Sequence, residues 1–154
     1  MMRRFSVLIA IVVVLAALTV PGAAISLGLG GGIDPSGLYF ASILSEAPVG
    51  DFFGLRAEMS VALSSDIAGL MVVSGGGFAH YPVAPFDPFL GLGIGVALTP
   101  NDYSLGFLVE GVAGSHIALF APLSAFVDVR YIVRFTSEAT TAGPLYEAGL
   151  SLSF

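Results

Sequence analysis

From residue 25 onward the chain alternates apolar residues with small or polar ones at a period of two. That is the mark of a strand whose two faces meet different surroundings. The clearest stretch runs from Phe53 to Leu63: Phe53, Leu55, Ala57, Met59, Val61 and Leu63 share one face, and Gly54, Arg56, Glu58, Ser60 and Ala62 the other. Leu90 to Leu98 sets Leu90, Leu92, Ile94, Val96 and Leu98 against Gly91, Gly93, Gly95 and Ala97. Leu123 to Phe135 places Ser124, Asp128, Arg130 and Arg134 on its polar face, with Phe126 and Ile132 as apolar exceptions. Tyr146 to Phe154, Ile25 to Ile33 and Leu105 to Ala113 follow the same rule, the last with Glu110 on the polar face. Leu38 to Leu44 and Ile67 to His80 fit it less well and are assigned by spacing.

The pattern predicts eight strands. The connectors carry turn-forming residues: Asp34 to Gly37, Glu46 to Asp51, Ser64 to Asp66, Tyr81 to Pro85, Thr99 to Asp102, Gly114-Ser115, and Thr136 to Gly143. These are hairpin lengths, so the expected topology is an antiparallel up-and-down sheet. An even strand count lets the first and last strands pair, giving a closed all-β barrel without edges.

The first 24 residues read differently. Arg3 and Arg4 precede an apolar run, Val7 to Val20; Pro21 breaks it, and Gly22-Ala23-Ala24 supplies small residues for cleavage. This is the layout of a secretory signal peptide, so residues 1–24 are expected to be removed and 25–154 to form the barrel.

Composition then selects the solvent. The chain is 56% hydrophobic with a mean hydropathy of +0.95, and only 10% of it is charged, against about 25% in ordinary globular proteins. Disorder is excluded. With no Cys, a disulfide framework, a thiolate metal site and a lipidated N-terminal cysteine are excluded as well. The net charge of −6 argues against nucleic acid as a partner.

Charge placement decides which face points outward. Beyond residue 24 every Arg (Arg56, Arg130, Arg134) falls on the polar face, with Glu58, Glu110, Asp128 and Glu147 in the same phase. The other seven acids fall in expected turns or at strand ends. A water-facing exterior carries charge on about a quarter to a third of its residues, whereas this face is mostly Gly, Ser and Ala. As the lining of a narrow lumen, small residues leave room and the charges can pair, as buried charges must. The apolar face then meets lipid, where a mid-bilayer charge costs about 2–4 kcal/mol. The competing arrangement, a soluble lipocalin-like ligand carrier, places the apolar face inside.

At the C-terminus, Phe154 is preceded in steps of two by Leu152, Leu150, Ala148 and Tyr146. This resembles the terminal strand of bacterial outer-membrane proteins, and the rest of the chain resembles the small barrels of the OmpA, OmpX and OmpW type. The resemblance implies export to the outer membrane, with outer-membrane lipid as the surroundings. It also implies that Tyr146, Leu150, Leu152 and Phe154 form the signal read by the barrel-assembly machinery.

The best candidate constellation is the inward charge set Arg56, Glu58, Glu110, Asp128, Arg130, Arg134 and Glu147, read as a salt-bridge network filling the lumen. Its alternative reading is a gate on a narrow path for small or apolar solutes, which a glycine-lined wall favours. His80 and His116 lie near expected turns without evident acid partners, and Ser115-His116 are sequence neighbours that point to opposite faces. No catalytic residue, metal ligand or cofactor site is therefore assigned, and a structural, non-enzymatic envelope role is the leading expectation. Tyr39, Tyr81, Tyr103, Tyr131 and Tyr146, with Phe52, Phe86 and Phe135, suit aromatic girdles at the membrane interfaces.

Overall fold

A computed structural model describes residues 25–63, 70–99 and 104–154. The expected signal segment, the turn Ser64 to Asp66 and Tyr103 lie outside these residues. The eight strands are β1 (Ser26–Ile33), β2 (Tyr39–Pro48), β3 (Phe53–Ala62), β4 (Met71–His80), β5 (Phe86–Thr99), β6 (Ser104–Phe120), β7 (Leu123–Phe135) and β8 (Thr140–Ser153). Each pairs antiparallel with the next, and β1 pairs with β8 from Ser26↔Ser153 to Ile33↔Tyr146, so the sheet closes. The end at which β1 begins and β8 finishes is called the lower end here; the opposite end, with the β1–β2 and β7–β8 turns, is the upper.

The two faces separate as the alternation requires. Leu29 and Leu92 are 67% and 74% exposed on the outer wall, while Arg130 and Glu58 inside are 1% and 2% exposed. Aromatic side chains mark both rims of the outer wall. Tyr81 stacks on Phe52 near the lower end, and Phe107 on Phe135 near the upper.

Several strands outrun the expected boundaries. β2 continues past Leu44 to Pro48, which brings Glu46 into the barrel wall, buried, rather than into a turn. β5 starts at Phe86, and β8 starts at Thr140, absorbing Gly143. β6 runs straight through Gly114-Ser115, and the reversal comes at Ala121-Pro122 instead. Gly114 is there for space, not for a turn: a Cβ on it would lie 2.8 Å from the Phe89 ring. Glycine in a strand interior often marks such close approach.

Candidate functional site: the charge network in the lumen

Inward positions recur every second residue on each strand, so long polar side chains from opposite walls meet on the barrel axis. Arg130 of β7 is the centre. Its guanidinium pairs with Glu58 of β3 and Glu110 of β6, lies 3.7 Å from Glu147 of β8, and donates to Ser74 at 3.1 Å and Ser60 at 3.3 Å. Ser42 donates to Glu147, and Ser60 to Glu58 at 2.7 Å.

One layer lower, Arg56 of β3 reaches Asp128 at 2.8 Å, Glu58 at 3.0 Å and Glu46 at 3.6 Å. Its guanidinium carbon sits 5.6 Å from the Phe89 ring centroid and 5.9 Å from that of Phe126. These are cation–π distances. Glu58 is shared by both arginines, which joins the two layers into one network. Two guanidiniums thus face five buried carboxylates: Glu46, Glu58, Glu110, Asp128 and Glu147.

Below this layer lie the histidines, and here the structure corrects the sequence reading. Both have acid partners. His116 Nε2 is 2.9 Å from Glu46, and His80 Nδ1 is 3.0 Å from Asp87. The His116 ring also stacks on Phe89 at 4.9 Å. Turn chemistry places Glu46 in a connector and Asp87 at a strand end in the sequence reading, whereas β2 runs on to Pro48 and β5 begins at Phe86. Carrying the even-numbered phase Phe40, Ser42, Leu44 one step further would have found Glu46. Ser115 points away from its neighbour's ring, and its hydroxyl donates to the His116 carbonyl oxygen at 3.0 Å.

Of the seven residues expected in the network, six are in it. Arg134 is the exception. It faces inward at the upper end but has no ion pair among the described residues, and its Nε is buried without a hydrogen-bond partner. Two strand steps carry it beyond the reach of the central carboxylates. The four C-terminal residues Tyr146, Leu150, Leu152 and Phe154 all stand exposed on the outer wall.

Large side chains from the opposite wall lie against the glycine wall. Gly30 of β1 and Gly149 of β8 are paired in register, and the Phe126 ring lies over them. A Cβ on Gly30 would sit 2.8 Å from Phe126 Cζ, and one on Gly93 would sit 2.9 Å from Glu110 Oε1. Small residues on one wall accommodate large ones from the other, the alternation by which small barrels fill their interiors.

No family model and no curated protein matches the chain. Solved structures do. The N-terminal β-barrel domain of Pseudomonas aeruginosa OprF aligns with a TM-score of 0.66 at 12% identity, covering 85% of this chain and 97% of that one. A de novo designed transmembrane β-barrel aligns at 0.64 and 14% identity, over 85% and 95% of the two chains. The outer membrane enzyme PagL aligns at 0.55 and 15%, over 84% and 98%. A domain of a larger protein, a designed object and an enzyme share this backbone, so the likeness speaks to architecture and not to activity. In fold, the chain is a closed eight-stranded antiparallel transmembrane β-barrel of the kind that small bacterial outer-membrane proteins adopt.

Proposed function

We propose that this protein resides in the bacterial outer membrane as a structural, non-enzymatic barrel whose lumen is sealed. The observation that carries the reading is the bonding of Arg130 across the axis to carboxylates from three other strands, with the side chain 1% exposed. Arg56 repeats the arrangement one layer below. A path for ions would have to pass both. Breaking such pairs is costly, because each leaves an uncompensated charge away from water.

The PagL likeness means that this fold can carry an active site, so the non-enzymatic reading rests on the side chains. Both histidines lie beside a carboxylate, and among the described residues no serine hydroxyl hydrogen-bonds to either ring. The apolar belt is matched to outer-membrane lipid, and the exposed row ending at Phe154 is suited to recognition by the assembly machinery.

Two measurements test this. Fractionation of expressing cells should place the protein in the outer membrane, extractable only with detergent. Reconstituted in planar bilayers, it should give quiet traces. Steady single-channel steps from the unmodified protein would instead support the narrow-channel reading.

A further inference from the structure

The lumen of a membrane barrel is ordinarily polar, and the centre of this one obeys that rule. Its upper half does not. Phe40, Val72, Leu108, Ile132 and Leu145 come from five different strands and turn hydrocarbon inward. They do not fill the space they enclose. Together they line a cavity of about 430 Å³, within the roughly 300–1,000 Å³ of small-molecule sites.

Among the described residues, the cavity is polar only at its two ends. Its floor is Ser60 and Arg130, both engaged in the central network. Its rim carries Thr141, Ser36, Asp34 and Arg134. One oxygen of the Asp34 carboxylate, Oδ1, is taken up by its own turn, accepting from the Ser36 hydroxyl at 2.6 Å, the Ser36 amide at 2.9 Å and the Leu38 amide at 3.0 Å. Among the described residues Arg134 is the rim's cation, and its buried Nε finds no hydrogen-bond partner there. Water is a poor occupant, because an ordered water needs about two to four polar partners, and the walls between floor and rim are hydrocarbon. A fixed guanidinium at the lip of an apolar well matches an anionic head on an apolar body.

We propose that this cavity is a blind binding site for a small amphiphile with one anionic group, in the class of a medium-chain carboxylate. Arg134 takes the head, and Phe40, Val72, Leu108 and Leu145 take the chain. The site relies on the sealed-lumen reading only for its floor. Conductance tests the floor and ligand titration tests the site, so the two can fail separately.

The test uses the full chain in nanodiscs of zwitterionic phosphatidylcholine, with methyl-labelled Leu and Val, titrated with decanoate, decanol or decyltrimethylammonium. Lipid-only discs provide the background. Decanoate should saturate and shift the Val72 and Leu108 methyls, the alcohol should bind more weakly, and the cation should bind least. Arg134→Gln should weaken decanoate about tenfold and leave decanol unchanged, the scale of one charge-assisted contact. Val72→Phe should abolish binding of both; Ile132→Phe serves if that variant does not fold, as judged by heat-modifiable gel migration. The proposal is overturned if no saturable shift exceeds the lipid background. It is also overturned if Arg134→Gln leaves decanoate binding unchanged, or if a folded, filled variant binds as well as the original.

Discussion

Arg130 of β7 and Glu58 of β3 meet on the barrel axis from diametrically opposed strands, 72 residues apart in sequence, and neither side chain is more than 2% exposed. The pair is a strut across the lumen. It also belongs to a network with more carboxylates than guanidiniums, which makes its members unequal.

That inequality predicts an asymmetry. Arg130→Ala leaves Glu110 and Glu147 without their cation and Glu58 with Arg56 alone, and it should cost about 3–5 kcal/mol. Glu110→Gln removes a negative charge from an excess and keeps an acceptor, so its cost should stay below about 2 kcal/mol. Urea unfolding in lipid vesicles measures both. Equal costs would mean that the charge imbalance has no energetic consequence.

A second prediction concerns the filled glycine wall. Gly30→Val places a side chain where Phe126 Cζ already stands 2.8 Å from a Cβ position. Overpacking of this kind costs about 1–3 kcal/mol. Pairing it with Phe126→Ala should recover part of the loss, because the two substitutions compete for one volume. Additive losses in the double variant would show that the ring and the glycine are not coupled.

The orientation of the wall can be read by chemistry, since the chain has no cysteine. Single cysteines at Leu55, Val61 and Leu92 should resist a water-soluble maleimide in bilayers and react after unfolding. Leu92→Arg, on the lipid side, should destabilise by about 2–4 kcal/mol if the position lies near mid-bilayer. Free labelling of all three positions in the folded protein would reverse the inside-out assignment.

The upper rim should respond to acid at one turn. Burial, the largest single influence, pushes the Asp34 carboxyl up, but hydrogen bonds from the Ser36 hydroxyl and from the Leu38, Ser36 and Gly37 amides together outweigh it and hold the group below its ordinary value of 3.8. A depressed value in the folded state means that the turn's stabilisation is complete above the ordinary carboxylate range. It is lost as pH falls through the folded-state value. Amide exchange at Ser36 and Leu38 should therefore accelerate below about pH 3.8. Asp34→Asn should flatten that dependence, and an unchanged acid profile in that variant would assign the effect elsewhere.

The barrel was legible because period two is a local property. Each clearly alternating strand announces its two faces without reference to the rest of the chain, and β7 runs from Leu123 to Phe135 as expected. Strand ends were less legible. Gly114-Ser115 has turn chemistry, yet it lies inside β6, because a glycine needed for clearance looks the same in sequence as one needed for a turn. Glu46 has turn-forming neighbours and yet lies inside β2, which concealed the carboxylate beside His116.

Along the clearly alternating strands the sequence by itself determined which residues face lipid and which face the lumen, since period two separates the faces and charge placement orients them. It also determined that the inward charges would need one another. Which charges meet was decided only by closure of the sheet, because register and strand order set the height of each side chain on the axis. Glu58 and Arg130 arrive at one level. Arg134, in the same phase of the same strand, arrives too high to join them and is left at the mouth of an apolar well.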